Sequence, residues 1–222
     1  MEQQATSNNA APAWDLTALN ETFSAATPQT IVRWALSHRL PTITTTGFGV
    51  QSAATLHLVS TLDPEAVIVW LDTGFTEPAT RAFAKSLCRQ LSLNLLTYRP
   101  RHRPVTLLSQ LGISEVVGLS EPQRQALARR VKLEPFERAV RQLQPRIWIS
   151  GIRAEETAFR SGLGIASWDP RGILKLAPFL NYSATEMDAY LAQHGLPAGP
   201  EAVDPTKAAP HLECGLHTRQ GS

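Results

Sequence analysis

Cysteine is scarce in this chain: its 222 residues include only two, Cys88 and Cys214. Two thiols cannot build the disulfide framework of a small secreted domain. They also cannot supply the four ligands of a thiolate metal site or an iron–sulfur cluster. A reducing compartment, the cytoplasm, is therefore the expected location, and no bound metal is expected.

The sequence also lacks long apolar runs and a large charge of one sign. No stretch approaches the roughly 18 apolar residues that a membrane helix needs. The first residues, Met1 to Gln4, lack the basic start and apolar core of a signal peptide. A net charge of +2 gives no reason to expect nucleic acid as a partner. We therefore expect neither membrane nor nucleic-acid binding.

Lysine is rare among the basic residues, since 17 of the 21 are arginine. The planar guanidinium forms paired hydrogen bonds with phosphate and sulfate oxygens more readily than an ammonium does. The bias is compatible with an anionic ligand.

Helix and strand patterns alternate along most of the chain, which predicts an α/β fold with a twisted parallel sheet flanked by helices. The apolar run Val67–Leu71 is typical of a buried parallel strand. Thr27 and Pro28 form a helix start signal, in the second of two short helices before the first strand. The predicted strands are 42–46, 67–71, 93–98, 146–150 and 173–178, and the main predicted helices are 52–60, 78–91, 134–143 and 185–194.

Composition divides the chain into three parts. Residues 1–13 are polar and Ala-rich, which predicts a disordered N-terminal tail. Residues 14–195 carry the alternating pattern and form the predicted α/β domain. Residues 196–222 are rich in Pro, Gly and Ala, which predicts a flexible C-terminal tail.

Three segments follow predicted strands, where open parallel sheets bind their ligands. The first is the small-residue loop 45–52 before a helix, which can present backbone N–H groups to an anion. It lacks the Gly-Lys-Ser/Thr ending of a Walker loop. An ordinary strand-to-helix turn is the alternative.

The other two segments carry charged side chains. Asp72, followed by Thr73 and Gly74, could accept hydrogen bonds from a ribose or an adenine amino group, or could simply cap a turn. Arg153 and Arg160 follow the fourth strand and could clamp a phosphate, or could be solvated surface residues.

Cys214 lies three residues before His217 near the end of the chain. Such a cysteine can be a thiolate nucleophile. It can equally be an inert thiol in a flexible tail. Cys88, within an apolar helix pattern, is predicted to be a core residue.

Taken together, these segments resemble the phosphoadenosine phosphosulfate (PAPS) reductase family, whose fold is adenine nucleotide α-hydrolase-like. The resemblance runs from about residue 15 to Gly195 and resumes at Glu213–His217. It rests on Phe48-Gly49-Val50-Gln51, which resembles a modified pyrophosphate loop, on Asp72-Thr73-Gly74-Phe75, on Lys132-Leu133-Glu134-Pro135, on Gly151-Ile152-Arg153 with Arg160, and on Glu213-Cys214-Gly215-Leu216-His217.

The resemblance implies a reductase of sulfate assimilation and cysteine biosynthesis that converts PAPS to sulfite and adenosine 3′,5′-bisphosphate. Cys214 would attack the sulfur of the nucleotide and become an S-sulfocysteine, with His217 as a second catalytic residue. Thioredoxin or glutaredoxin would then release sulfite, and a homodimer is one option for assembly. The resemblance assigns substrate binding to Phe48, Gly49, Val50, Gln51, Asp72, Thr73, Gly74, Lys132, Gly151, Arg153 and Arg160.

Three departures from the family pattern bear on these expectations. Members with an iron–sulfur cluster carry a Cys-Cys pair where this chain has Leu127 and Ala128, so a cluster-free enzyme is expected. Only the 16 residues 197–212 separate Leu196 from Glu213, where the family usually has some forty residues. Glu156 replaces a usual Gln and would need an arginine to neutralise it beside an anion.

Two further functions stay open at this stage. The chain could reduce adenosine phosphosulfate despite lacking a cluster. It could also be a nucleotide-binding relative that has lost turnover with its shortened tail.

Overall fold

A six-stranded sheet forms the centre of the computed structural model, which describes residues 14–201, 204 and 206. The strands are β1 (Thr42–Thr46), β2 (Val67–Leu71), β3 (Asn94–Tyr98), β4 (Ile147–Ser150), β5 (Ala166–Trp168) and β6 (Leu174–Leu176). Their spatial order is β3-β2-β1-β4-β6-β5, and every pairing is parallel except that of β5 with β6. The predicted α/β fold with a parallel sheet is confirmed.

Helices precede the sheet and connect most of its strands. They are α1 (Leu16–Ser24), α2 (Pro28–Ser37), α3 (Ser52–Leu62), α4 (Pro78–Gln90), α5 (Pro104–Gln110), α6 (Glu121–Ala128), α7 (Glu134–Leu143), α8 (Ala158–Ser161) and α9 (Ala184–Gln193). A π-helical turn, Arg129–Leu133, joins α6 to α7, and a 3₁₀ turn, Ala154–Glu156, precedes α8. No helix in the described ranges is both long and apolar enough to cross a membrane.

Side chains of the central strands alternate between two apolar layers, as the pleat of a strand requires. On β4, Ile147 and Ile149 join the larger core, which α1, α2, α3, α4 and α9 cover. Trp148, between them, packs with Phe136 of α7 on the opposite face. The sheet is therefore buried on both faces, which explains the continuous apolar runs of β2 and β4.

The predicted elements lie within a few residues of the observed ones, and four helices and strands have no counterpart among the predictions. These are α5, α6, the four-residue helix α8 and the antiparallel strand β5. Strand β5 is only three residues long, and Trp168 at its end is 41% exposed, so it has neither an apolar run nor a clear alternation. Helices α5 and α6 pack around a small separate cluster centred on Leu107 and Leu127.

Candidate functional site

A cavity of about 450 Å³ opens at the carboxyl ends of β1, β2 and β4. Strand β1 is the point where the chain order reverses, because β2 and β3 lie on one side of it and β4 and β6 on the other. Ligands of open α/β sheets bind at such a switch point. Among the residues that line the cavity are Gly49, Val50, Gln51, Ser52, Lys132, Gly151, Arg153, Glu156, Arg160 and Asp204.

The loop after β1 is anchored by Phe48, whose side chain is fully buried. Its ring packs edge-on against Trp70 at 5.1 Å between centroids, and its φ of +53° turns the backbone sharply. Gly49, Val50 and Gln51 then line the cavity directly. Phe48 therefore holds the loop in place from the core side and is not among the residues that line the cavity.

Helix α3 starts at Ser52, on the wall of the cavity. The unpaired N–H groups of a helix N-terminus favour a negatively charged ligand. Gly151 lies close to this helix, because a Cβ atom built there would lie 2.9 Å from the Thr55 Oγ1 atom. A side chain at residue 151 would push apart the two segments that form this wall.

Lys132 reaches the cavity from the π-helical turn between α6 and α7. It is 9% exposed, and its ammonium forms an ion pair with the carboxylate of Asp204. Burial alone would raise the pKa of Asp204, but Lys132 and the hydrogen bonds from Thr206 hold that pKa below its ordinary value. Asp204 was not predicted as a site residue.

The two arginines that follow β4 both reach the cavity and are nearly buried. Arg160 forms an ion pair with Glu156, and the backbone N–H of Arg153 donates to the Glu156 carboxylate at 2.8 Å. The Arg153 guanidinium pairs with Glu155. Glu156 thus has an arginine partner, which the sequence analysis required of a carboxylate placed beside an anion.

The structure does not bring Asp72, Thr73 and Gly74 into the lining of the cavity, which Leu71 reaches instead. The Asp72 carboxylate is fully buried and accepts hydrogen bonds from Arg81 at 2.7 Å and from Arg99 at 2.8 Å.

Two further hydrogen bonds to Asp72 fix the turn after β2. They come from the Gly74 N–H at 3.2 Å and the Thr76 hydroxyl at 3.0 Å. These contacts fit the alternative role considered for Asp72 from the sequence, which is to cap a turn. The assignment of Asp72, Thr73 and Gly74 to substrate binding stays a prediction.

Cys214 and His217 lie outside the described residues, so their catalytic roles stay predictions. The other thiol, Cys88, is a half-buried residue of α4 against the main core. Burial raises its pKa, which makes it a poor nucleophile at neutral pH.

Thr45 belongs to the predicted loop 45–52 and lines the cavity, whereas Ser150 lines it without having been predicted as a site residue. Ser150 had a signal in the sequence, because it lies at the carboxyl end of β4, a position that favours ligand contact for any polar residue. Asp204 had no such signal, because it is distant in sequence from every strand. In the part of the chain that the structure describes, no three side chains among His, Cys, Asp and Glu are grouped as metal ligands. The absence of an iron–sulfur cluster stays a prediction.

Solved structures with a similar fold include two enzymes. PAPS reductase from Candida auris, in a phosphate complex, is similar with a TM-score of 0.71, at 22% identity over 83% of this chain and 87% of that one. The NH₃-dependent NAD synthetase from Campylobacter jejuni is similar with a TM-score of 0.53, at 13% identity over 83% of this chain and 75% of that one.

Sequence comparison is more specific. Residues 41–200 match the family model described as "Phosphoadenosine phosphosulfate reductase domain". The chain is 33% identical over 183 residues to a PAPS reductase of Yersinia pseudotuberculosis, covering 82% of this chain and 73% of that protein. It is 30% identical to one from Synechococcus, covering 83% and 79%. The chain belongs to the PAPS reductase domain family, a family of oxidoreductases, and the resemblance read from its motifs is confirmed.

Proposed function

We propose that the chain reduces 3′-phosphoadenylyl sulfate to sulfite, with the nucleotide bound in the cavity at the end of β1. One observation carries the proposal: a single cavity is lined by three cations, Lys132, Arg153 and Arg160. The loop 49–52 and the start of α3 line the same cavity. These groups are the cations and N–H donors that a phosphosulfate needs.

The proposed first step is attack of the Cys214 thiolate on the sulfur of the sulfo group. The new bond joins Sγ to this sulfur, and the bond from sulfur to the phosphate oxygen breaks. Adenosine 3′,5′-bisphosphate leaves with the bonding electron pair, and Cys214 becomes S-sulfocysteine. Lys132, Arg153 and Arg160 would stabilise the charge that grows on the leaving phosphate.

The proposed second step needs an external dithiol, thioredoxin or glutaredoxin. Its thiolate attacks Sγ of Cys214, a mixed disulfide forms, and sulfite leaves with the electron pair of the sulfur–sulfur bond. The second thiol of the donor then attacks the mixed disulfide and restores the Cys214 thiolate. The donor is oxidised to a disulfide while the sulfate sulfur is reduced by two electrons to sulfite. We assign His217 to the environment of the Cys214 thiolate.

The direct test is sulfite release by the purified chain with thioredoxin and either PAPS or adenosine phosphosulfate. We expect faster release from PAPS and none from Cys214→Ser, because a serine hydroxyl is almost fully protonated at neutral pH. Cys88→Ser is the matched control, and the protein that folds should retain activity.

Two other outcomes select the remaining functions. Faster release from adenosine phosphosulfate would make that nucleotide the substrate. Tight nucleotide binding without sulfite from either compound would identify a binding protein that has lost turnover.

A further inference from the structure

The segment that follows α9 packs onto the loop after β1. We call its described residues, 196–201, Asp204 and Thr206, the strap. The Leu196 side chain is buried in the main core, and the Gly199 N–H donates to the Val50 carbonyl at 2.7 Å. A Cβ atom built on Gly199 would clash with the Gly49 carbonyl oxygen, so the two backbones are in direct contact. The strap therefore covers the part of the loop that lines the cavity.

Asp204 of the strap places its carboxylate at the lining of the cavity. One oxygen of Asp204 pairs with the Lys132 ammonium. The other accepts from the Thr206 N–H at 3.0 Å and the Thr206 hydroxyl at 2.7 Å. The Lys132 side chain is 11% exposed and that of Asp204 is 23% exposed, so this ion pair is largely shielded from water.

The charges around the cavity indicate that Asp204 competes with an anionic ligand for Lys132. Among the described lining residues, Lys132, Arg153 and Arg160 are cationic, and Glu156 and Asp204 are anionic. Glu156 pairs with Arg160, whereas Asp204 pairs with Lys132 from the π-helical turn. Withdrawal of Asp204 would raise the formal charge of this lining from +1 to +2. An anionic group of a ligand would then find Lys132 available.

We propose that Asp204 is a specificity-determining residue that occupies the Lys132 ammonium in the free protein and must be displaced by an anionic group of the nucleotide. The inference rests on the proposed function, because it concerns nucleotide binding in the same cavity. A phosphate carries a charge of about −1.5 to −2 at neutral pH and has three acceptor oxygens, so it competes well with a single carboxylate. A ligand without such a group cannot displace Asp204, so its affinity gains no contribution from Lys132.

The test is calorimetric titration of the full chain with adenosine 3′,5′-bisphosphate and, separately, with adenosine. Asp204→Asn is expected to bind the bisphosphate about tenfold more tightly than wild type, since the lost competitor is a charge-assisted contact. Its affinity for adenosine should not change. Glu201→Gln removes the same charge from an exposed position three residues earlier in the strap and should behave as wild type.

A double-mutant cycle separates this role from a merely structural one. If Asp204 acts through Lys132, Asp204→Asn should give no gain in a Lys132→Met background. Equal or weaker binding of the bisphosphate by Asp204→Asn, with wild type binding normally, would overturn this inference and leave the proposed function intact. Absence of binding by every protein in the series would overturn both.

Discussion

At the scale of single residues, Asp72 illustrates how a buried charge organises a turn. Its carboxylate is fully buried, yet the two arginines that hold it, Arg81 and Arg99, have side chains that are 39% and 61% exposed. Burial by itself would raise the pKa of Asp72. The hydrogen bonds from Arg99, Gly74, Arg81 and Thr76 outweigh burial and hold that pKa below its ordinary value.

We therefore expect Asp72→Asn to destabilise the fold in a pH-dependent way. The loss at neutral pH should be about 2–3 kcal/mol, below the 3–5 kcal/mol typical of fully buried pairs, because both arginines are partly solvated. Since the folded-state pKa lies below the ordinary value of 3.8, the ion pairs stabilise the protein above that pH. Their contribution disappears as the pH falls through the lowered value.

Urea unfolding of Asp72→Asn and wild type across acidic and neutral pH measures this difference. Glu121→Gln is the control, because it breaks an exposed ion pair with Arg124 and should change stability little at any pH. A difference between Asp72→Asn and wild type that stays constant as the solution is acidified would contradict the account.

The residue types at the site were predictable where they follow a strand, but their partners were not. Arg153 and Arg160 could be placed at the cavity because β4 is a clear apolar run. The inward side chain of Phe48 depends on a positive φ angle, and no local sequence pattern predicts such an angle for a phenylalanine. The pairing of Lys132 with Asp204 joins residues 72 positions apart and is a product of tertiary packing.

At the scale of elements, α1 completes the edge of the sheet where β5 lies. The Asn20 side chain donates to the Ala166 carbonyl at 2.9 Å and accepts from the Ala166 N–H at 2.9 Å. It thereby bonds both backbone groups of a residue in the last strand of the sheet order. Gly164 allows this approach, because a Cβ there would lie 2.7 Å from the Asn20 side-chain oxygen.

Asn20→Ala should therefore loosen α1 from β5. Both backbone groups of Ala166, a buried residue, would lose their Asn20 partner, at a cost of about 1–3 kcal/mol in the free energy of unfolding. Asn94→Ala is the matched control, because Asn94 is exposed on β3 and donates one hydrogen bond, to Glu65. The result that disagrees with this view is an equal loss of stability for the two variants in urea unfolding.

The short elements mark the limit of prediction at this scale. Strands β1, β2 and β4 are apolar or β-branched runs with both faces buried, so their sequences alone predict them. Strand β5 exists because β6 and Asn20 hold it, and its three residues carry too little pattern to show that. Helices α5 and α6 depend likewise on their shared apolar cluster.

At the scale of the whole molecule, the fold brings distant parts of the chain to one edge of the sheet. The loop after β1, the π-helical turn before α7, the segment after β4 and Asp204 of the strap meet in one cavity. The parallel topology was predictable, and with it the edge at which ligands bind. The packing of the strap could not be predicted, because a Pro- and Gly-rich composition predicts mobility and gives no contact partners.

The contact of the strap with the cavity bears on the proposed chemistry. Cys214 follows Asp204 by ten residues. An extended chain gains at most about 3.3–3.6 Å per residue, so the sequence separation is long enough for the proposed attack of Cys214 on a nucleotide beside Lys132. The proposed second step would also require Cys214 to meet an external thiol.

Mass spectrometry of the chain after incubation with PAPS, in the absence of any thiol donor, tests directly whether Cys214 is the nucleophile. We expect a trapped sulfite adduct on the peptide that contains Cys214, because the first step proceeds without the donor and the second cannot. We expect no adduct on Cys88, whose pKa is raised by burial. An adduct on Cys88, or an unmodified Cys214 in protein that binds the nucleotide, would contradict the proposed mechanism.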